Sequence, residues 1–539
     1  MSSEWLSFSS IPHTTKLFND FLHDFPKVSR FYTPFQPKVE SASSWLPKVA
    51  SAIEYPQDRR AAVAAVLERH NRRLGSSQKA LDNIQRFRNG AYAVLTGQQV
   101  GFLGGPLFSI LKALTAVRLA AQATRAGVDA VPIFWLATED HDFEEVRNAV
   151  VQDTDGILHT VTMHADLPVG APMSSARLTQ AIVPTVEHVS ALLGDGEIGQ
   201  FIREAYVSGE TVGAAFGKLF ARIFAEFGVI LLDASDPELH VISKEIYVRA
   251  VEQADSIEQA LVARGKELHS AEYHEQVKVT ESSTLLFGLN DGARTPIHRV
   301  NGDFEIGKRK VSRSDLFLQV REHPEAFSAN VLLRPVVQDY MLPTLAYAGG
   351  PAEVAYFAQG SVVFERLLGR VTPAVPRFSA TLIDARAQRL LKQYKLSVCD
   401  LFRDPERTRE LIAERSLPSD LQDAFERAAA SVEHAIESIS KPLQKLDPTL
   451  VESGNRAGSK MRHQLNRLRT RAANAELRRN EIVSRHAAHL SSSLFPHKQM
   501  QERVITGVSF LARYGMGLMH TLYEATDRGC PEHQVIFLQ

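Results

Sequence analysis

A polar and glycine-rich turn follows the first strongly apolar segment of the chain, YAVL at 92–95. Its candidate binding residues are Gln98, Gln99, Gly101, Gly104 and Gly105. Glycines allow an anionic group to approach the main chain, and backbone amides at the start of a helix can hold a phosphate or a carboxylate. The spacing matches neither the G-x-G-x-x-G dinucleotide pattern nor a P-loop. The turn therefore predicts a substrate or phosphate site, with tight packing of the glycines as the alternative.

A second apolar segment, VPIFWLA at 131–137, ends in the polar run TEDHD. An imidazole flanked by carboxylates can accept a proton while a carboxylate fixes its tautomer. The candidate catalytic residues are therefore His141, Asp140 and Asp142. The alternative is structural, with Asp140 or Asp142 capping the next helix.

The sequence does not indicate a metal site. Adjacent residues of the TEDHD run cannot all face one ion, and the chain has no H-E-x-x-H motif and no paired Cys/His spacing. We therefore predict no protein-bound metal and no zinc. Mg²⁺ held mainly by the phosphates of a nucleotide is compatible with the sequence.

A third set of polar residues lies further along the chain, around a predicted strand at 331–337 and beyond it. Its candidate binding residues are Arg334, Gln338, Asp339, Tyr340, Tyr356 and Arg377. Arg334 can bind a carboxylate through two hydrogen bonds, or form an internal salt bridge to Asp339 or Glu353. Arg377 can pair with a phosphate or close the sheet. Lys112 is predicted to lie on a solvated helix face.

An α/β core is predicted to position these residues. Apolar residues at helical spacing predict a helix from Pro106 that Gly127 ends, between two buried strands, so that the chain forms a βαβ unit. Further buried strands are predicted at 229–233, 331–337 and 371–378. Because doubly wound parallel sheets bind ligands beyond the carboxyl ends of their strands, we expect the candidate residues to share one cavity.

Changes in pattern along the chain predict a discontinuous core with two insertions and a helical arm. The segments are an N-terminal wrap with the first half of the core (1–150), a first connecting insertion (151–205), more core (206–262), a small hairpin insertion (263–320), the completed core (321–384), a helical coiled-coil domain (385–500) and a C-terminal segment that packs back on the core (501–539).

The coiled-coil domain shows apolar residues in near-heptad spacing between 421 and 482, which predicts an antiparallel two-helix arm. Such an arm can carry a homodimer contact, although a seam inside one chain satisfies the same pattern. Its basic residues between 460 and 485 are predicted to face Glu426, Glu433 and Glu437. The alternative, binding along RNA, is the less favoured interpretation.

Composition limits the classes of function. The chain is 44% hydrophobic and 23% charged with a net charge of -1, which predicts a soluble globular protein without global attraction to nucleic acid or anionic membranes. Two cysteines, Cys399 and Cys530, are too few for a disulfide framework and favour a cytoplasmic setting. We find neither a signal segment nor an apolar run long enough to span a bilayer.

Several longer motifs resemble one known family, the bacillithiol biosynthesis cysteine-adding enzymes, also called cysteine ligases. The first pair of motifs is TGQQVGFLGGPL and FWLATEDHDF, and the resemblance extends over nearly the full chain. The matching residues are 96–107, 134–143, 330–340, 347–356, 376–381, 501–503 and 533–536.

The resemblance implies a ligase that adds L-cysteine to glucosaminyl malate, forming an amide in the last step of bacillithiol synthesis. It also implies a Rossmann-like doubly wound parallel sheet similar to class I aminoacyl-tRNA synthetases, on which ATP would activate cysteine as a cysteinyl adenylate. The chain lacks the His-x-Gly-His motif of those enzymes after its first strand. ATP is therefore expected by analogy alone.

Roles follow for the candidate residues if the resemblance holds. Gln98, Gln99 and the glycine turn would bind substrate or phosphate, His141 with Asp140 would handle protons, and Arg334 would bind the malate carboxylate. The alternatives are a non-catalytic scaffold or binding protein of a thiol pathway, and an RNA-binding synthetase-like protein.

Overall fold

A computed structural model describes residues 3–280, 282–290, 292–403, 408–527 and 531–538. Its centre is a five-stranded parallel sheet. In chain order the core strands are the first (Tyr92–Gln98), the second (Ala130–Leu136), the third (Ile230–Asp233), the fourth (Thr344–Gly349) and the fifth (Ala374–Pro376). In space their order is fifth, fourth, first, second, third. The predicted Rossmann-like parallel sheet is confirmed.

The order of the strands reverses between the first and the fourth core strands. Neighbouring helices diverge at such a point, and doubly wound sheets bind their ligands there. The helix after the first strand, Phe108–Arg125, begins two residues later than the sequence predicted from Pro106. Apolar side chains surround it almost completely, because it packs on the sheet and on the C-terminal helices.

The strand predicted at 331–337 is absent, and this prediction was wrong. Most of that segment forms the helix Arg334–Met341, and the fourth core strand begins only at Thr344. Asn330 Oδ1 accepts hydrogen bonds from the amides of Leu332 and Leu333, both at 3.0 Å. A proline in the first turn then favours the helix.

Smaller sheets surround the core. A five-stranded antiparallel sheet contains Ser283–Asn290, Ala293–Val300, Asp303–Ile306, Arg309–Val311 and Phe327–Ala329. A three-stranded sheet joins Ser3–Leu6, His533–Phe537 and Ala380–Ile383. Two strand pairs complete the set, Asn148–Gln152 with Leu158–Thr162 and Ala165–Asp166 with Arg177–Leu178. The three-stranded sheet thus connects both ends of the described chain to the segment after the core.

The predicted coiled-coil arm is confirmed. Its helices Ser419–Leu446 and Thr449–Arg479 are separated by two residues only, and Gly458 of one packs against Ile436 of the other. The pairing is antiparallel, and the Arg462 guanidinium lies 4.0 Å from the Glu433 carboxylate. This contact agrees with the prediction that the basic face meets an acidic partner helix.

The remaining helices cover the sheets and connect them. They are Lys16–His23, Phe25–Val28, Ala42–Ser51, Gln57–Arg73, Gln78–Arg88, Phe143–Val146, Ile182–Leu192, Glu197–Ala205, Val212–Ile223, Pro237–Glu252, Ala254–Ser270, Arg313–Glu322, Pro351–Leu368, Ala385–Gln393, Val398–Arg403, Thr408–Ser416, Glu481–Leu494, Gln501–Val504, Gly507–Tyr514 and Gly517–Ala525. Within the described ranges, no helix combines the length and the apolar character that crossing a membrane requires. Cys399 is a free thiol, and Cys530 lies outside the described residues.

Candidate active site

A cavity of about 870 Å³ opens where the strand order reverses, and we call it the central cavity. Its volume is within the range of about 300–1,000 Å³ that is usual for small-molecule sites. The predicted site residues that line it are Gln98, Gln99, Gly101, Gly105, Asp140, Arg334, Gln338, Tyr356 and Arg377. Residues from all three predicted sets therefore meet in one place.

Gly104 and Asp142 have structural roles outside the lining of the cavity. Gly104 has φ +82°, and a side chain there would come within 3.1 Å of the Phe220 ring, so close packing explains this glycine. Asp142 Oδ1 accepts a hydrogen bond from the Glu145 amide at 3.2 Å and caps the helix Phe143–Val146. The structural alternatives weighed from the sequence are the correct ones at both positions.

Asp339 and Tyr340 also lie away from the cavity, and predicting them as binding residues was wrong. The Asp339 carboxylate is buried and accepts hydrogen bonds from Arg370 at 2.7 Å and from Thr372 at 2.6 Å. The Tyr340 ring packs under the Arg59 guanidinium, 3.7 Å from its centroid. Because the segment is a helix and not a strand, these side chains turn away from the edge of the sheet.

The glycine turn offers fewer free amides than the sequence suggested. The Gly101 amide donates to Gln99 O at 2.9 Å, and the Gly105 amide donates to Phe102 O at 3.0 Å. A side chain at Gly105 would come within 3.1 Å of Ser109 Oγ, and φ is +71° there. The two glycines therefore shape the turn, and side chains must supply most of the groups that bind an anion.

Lys112 is buried beside the cavity, which corrects the prediction of a solvated position. Its ammonium group donates to Gly97 O and to Gln98 Oε1, both at 2.9 Å, and lies 2.5 Å from the Glu353 carboxylate. Burial lowers the pKa of Lys112, against the effect of Glu353. Burial opposes ionisation of Glu353 too, but Lys112 and the Gly350 amide outweigh it and lower its pKa. Glu353 is therefore a carboxylate.

Tyr347 and Tyr356 both donate a hydrogen bond to Glu353, and Tyr356 also connects Glu353 to Arg334. Tyr347 donates a hydrogen bond to Glu353 Oε1 at 2.7 Å, and Arg334 donates one to the Tyr356 hydroxyl at 3.4 Å. Burial raises the pKa of both tyrosines, so the phenols are neutral. Burial opposes the charge of Arg334, but the hydrogen bond to Tyr356 and the charge of Glu353 act against it, and the guanidinium pKa is raised.

Arg334 forms neither of the two salt bridges considered from the sequence. Within the described residues, no carboxylate lies in ion-pair range of its guanidinium, and the Tyr356 hydroxyl is its hydrogen-bond partner. A cation of this kind, at the edge of a cavity, is suited to a carboxylate ligand.

Arg377 and Arg503 approach the cavity from the side of the C-terminal segment. Arg377 makes two hydrogen bonds to the buried Glu502 carboxylate, at 3.0 and 2.5 Å, so it joins the fifth core strand to that segment. Arg503 is exposed and lies 6.0 Å from the Phe108 ring centroid, without an ion pair among the residues that the structure describes. Arg503 is therefore the more available cation of the two.

His141 is not itself a lining residue, but it lies at the rim of the cavity, beside the lining residues Asp140 and Arg294. Its Nδ1 is 3.4 Å from the Arg294 guanidinium and 3.7 Å from Asp140 Oδ1, and 43% of its side chain is exposed. Asp140 accepts a hydrogen bond from Gln99 at 2.8 Å. Burial opposes ionisation of Asp140, but Gln99, the His141 amide and Arg294 outweigh it and lower the pKa. The imidazole thus lies near an ionised carboxylate without a hydrogen bond to it, and the group in hydrogen-bond range of Nδ1 is the Arg294 guanidinium.

Several lining residues were not among the predicted site residues: Lys112, Glu139, Arg294, Tyr347, Glu353 and Arg503. Lys112 carried a signal, since it is one of few charged residues in a helix that is otherwise apolar all round. Arg294 carried none, because the antiparallel sheet that brings it to the cavity is remote in sequence. In the described part of the chain, no group of three or more His, Cys, Asp or Glu is placed to hold a metal ion.

The fold and the site define a Rossmann-like α/β protein with a polar cavity at the reversal of its strand order. Residues 1–378 match the family model described as "Bacillithiol biosynthesis BshC, N-terminal Rossmann-like domain", and residues 380–538 match the C-terminal coiled-coil domain of the same family. The chain belongs to the BshC family of bacillithiol biosynthesis.

Similar proteins extend over the same length. A protein of Koribacter versatilis, named "Putative cysteine ligase BshC", is 48% identical over 99% of this chain and all of its own. A protein of Solibacter usitatus with the same name is 34% identical over 98% of both chains. A third, from Symbiobacterium thermophilum, is 34% identical over 89% of this chain and 90% of its own. The family assignment therefore covers the core and the arm together.

Proposed function

We propose that this chain is a ligase that joins the carboxyl group of L-cysteine to the amine of glucosaminyl malate, the last step of bacillithiol synthesis. Arg334 is the observation that carries the proposal. Its guanidinium lines the central cavity with a tyrosine hydroxyl as its hydrogen-bond partner, and the malate part of the acceptor offers a carboxylate to it. The names of the relatives support the choice of cysteine.

Amide formation requires the attacking amine to lose a proton. We assign that proton to His141, because its imidazole lies at the rim beside the ionised Asp140. Gln98 and Gln99 would orient the substrates through their amide groups, since both line the cavity. The buried Lys112–Glu353 pair holds the two sides of the cavity together and does not need to contact substrate.

Activation of the cysteine carboxylate is proposed to use ATP, with Mg²⁺ on its phosphates, by analogy with other enzymes that activate amino acids. Bound ATP would supply a leaving group for the cysteine carboxylate, as in a cysteinyl adenylate. Arg503 suits a phosphate, because it is exposed in the cavity near the N-terminus of the helix Phe108–Arg125. Arg377 suits it less, because Glu502 already binds both of its terminal nitrogens.

The test is a reaction of purified protein with L-cysteine, glucosaminyl malate and ATP, followed by mass spectrometry, with each component omitted in turn. We expect the amide product when all three are present. Absence of that product would overturn the proposed ligase, and product formation without ATP would overturn the proposed activation. Arg334→Met should abolish most of the activity, whereas Tyr356→Phe, which keeps the guanidinium, should retain much of it.

We also propose that the protein acts in the cytoplasm, where thiols stay reduced, as a homodimer that forms through the arm. The helix Ser419–Leu446 has no buried side chain, and Ile439 and Leu446 are exposed on it. Apolar residues on both arm helices favour a second copy of the chain as their partner.

A further inference from the structure

A small chamber lies beneath the central cavity, and we call it the inner chamber. Its polar lining residues are Trp135, Glu139, His240, Ser243 and Tyr247, with Arg334 at its edge. The volume open to the centre of a water molecule is about 10 Å³, so the chamber admits one group of the size of a water molecule. Trp135, Glu139 and Arg334 also line the central cavity, so the two spaces are contiguous.

Unpartnered polar atoms are concentrated around this chamber. Within the described ranges, no hydrogen-bond partner exists for Trp135 Nε1, Glu139 Oε1, His240 Nδ1 or Ser243 Oγ, which line the chamber, or for Gln338 Oε1, which lines the adjoining central cavity. Trp135, His240, Ser243 and Gln338 are all more than nine-tenths buried. Buried polar atoms in native proteins almost always have partners, so a cluster of this kind indicates a site for a polar ligand.

Hydrogen-bonding capacity identifies the kind of ligand. In the inner chamber Glu139 Oε1 is an acceptor, and the Ser243 hydroxyl and His240 Nδ1 can accept as well. A group with three donors and the size of a water molecule meets these requirements, and an ammonium group is such a group. Trp135 Nε1 can only donate a hydrogen bond. An amino acid offers it an acceptor, because its carboxylate is attached to the same carbon as its ammonium group.

Charge agrees with this ligand. The Glu139 side chain is 13% exposed, and the nearest His240 nitrogen lies 3.3 Å from its Oε1 without hydrogen-bond geometry. Burial raises the pKa of Glu139, against the effect of His240, Arg294 and Arg334. A bound cation would stabilise the ionised form, whereas a bound anion would face that carboxylate at close range. Arg294, which lines the central cavity, is placed to attract a carboxylate on the outer side.

We propose that the inner chamber binds the α-ammonium group of the amino-acid substrate, with Glu139 as its ionic partner. This inference rests on the proposed function, because it names the position of the amino acid in the same reaction. The binding mode has a chemical consequence. An amine that is held as ammonium has no lone pair, so the amine of the bound amino acid cannot act as a nucleophile toward another activated carboxyl group.

Isothermal titration calorimetry with the full-length protein tests the proposal. L-cysteine is compared with 3-mercaptopropionate, which lacks the ammonium group but keeps the thiol and the carboxylate. We expect the unmodified protein to bind cysteine about tenfold to a hundredfold more tightly, the usual effect of a hydrogen-bonded charged group. Glu139→Gln should lose most of this preference, and its affinity for 3-mercaptopropionate should stay the same.

Two further variants make the result specific. Ser243→Ala removes an acceptor of the inner chamber without a change of charge and should lose part of the preference. Glu144→Gln is the matched control, because Glu144 is an exposed carboxylate paired with Arg147 outside both cavities, and it should keep the full preference. Melting temperatures of all variants identify any loss that arises from misfolding.

Equal affinity of the unmodified protein for both ligands would overturn the proposal. So would a Glu139→Gln protein that is folded and keeps the preference for cysteine. Failure of the proposed function has a different signature, namely no amide product from an unmodified protein that still prefers cysteine. If the unmodified protein forms the amide product and Glu139→Gln still prefers cysteine to 3-mercaptopropionate, the proposed role of the inner chamber is wrong and the proposed ligase function is not affected.

Discussion

The ammonium group of Lys112 lies 2.5 Å from the carboxylate of Glu353, and this contact joins the two sides of the strand-order reversal. Lys112 belongs to the helix after the first core strand, and Glu353 to the helix after the fourth. Their side chains are only 4% and 14% exposed. Since both ions have further hydrogen bonds, the pair fixes the relative positions of the two helices beneath the cavity.

Replacement of Lys112 should destabilise the protein strongly. Lys112→Met leaves the Glu353 carboxylate buried without its cation, which typically costs about 3–5 kcal/mol. We expect a loss of this size in the free energy of unfolding from urea denaturation. The double variant Lys112→Met/Glu353→Gln removes both charges and should recover part of the loss. A single variant as stable as the unmodified protein would show that the pair does not hold the helices together.

Lys112 also shows where sequence reasoning fails. A lysine about one turn into a helix is usually solvated, but this helix is apolar on nearly all sides and therefore buried. The partner of the lysine is 241 residues away in sequence, since the pair joins positions 112 and 353. Local pattern could indicate that the charge needs a partner, but it could not identify Glu353.

The segment 331–337 shows a different failure. An apolar run of this length occurs in buried strands and in buried helices, and periodicity alone does not distinguish them. The deciding signals were Asn330, which caps the turn, and Pro335 in the first turn of the helix.

The first, second and third core strands were predictable from the sequence. Each contains a run of apolar residues that is followed by glycine or polar residues. The convergence of Gln99 and Asp140 in one cavity followed from parallel topology, whereas Arg334 reaches the cavity from a helix that the sequence had predicted as a strand.

His141 should affect turnover more than substrate binding. Removal of a general base typically lowers the rate by a factor of about 10²–10⁴. We expect His141→Ala to lower kcat of amide formation by at least about a hundredfold, with a small change in KM. His323→Ala is the matched control, because His323 is exposed and pairs with Glu325, which is not a lining residue, whereas His141 contacts the lining residues Asp140 and Arg294. Product formation at the normal rate by His141→Ala would remove this residue from the mechanism.

His533 should make stability depend on pH. Its buried ring lies 2.7 Å from Ser379 Oγ and 2.9 Å from Thr381 Oγ1, and burial lowers its pKa to about 4 from 6.5. The folded state thus favours the neutral ring. This contribution is fully present above pH 6.5 and is lost as the pH falls towards 4, because the unfolded chain binds the proton first. The loss is about 3 kcal/mol.

Unfolding curves between pH 4 and pH 7 measure this effect, since the window is set by the two pKa values of His533. His533→Gln cannot titrate, so its stability should change less across the window than that of the unmodified protein. The nearby Glu502 also titrates. Burial would raise the pKa of its carboxyl group, but Arg377 outweighs burial and the pKa is lowered from 4.5. The contribution of Glu502 to stability is therefore lost at a lower pH than the pH at which that of His533 begins to be lost. Parallel pH profiles of the two proteins would contradict a neutral His533.

The arm should determine the oligomeric state. Leu446 is 79% exposed near the tip of the arm, and Leu468 is exposed on the opposite helix. If these side chains meet a second copy, Leu446→Glu and Leu468→Glu place charges in the apolar contact and should convert a dimer into a monomer. Light scattering after size-exclusion chromatography measures the mass. The unmodified protein should have twice the mass of one chain.

Val169→Glu is the control for this experiment, because Val169 is 99% exposed and lies in the first insertion, outside the arm. It adds the same charge and should leave the dimer intact. Melting temperatures of the arm variants should remain close to that of the unmodified protein, since the exposed leucines contribute little to the core. A monomeric unmodified protein at micromolar concentration would contradict the proposal, and so would arm variants that stay dimeric, because the contact would then lie elsewhere on the chain.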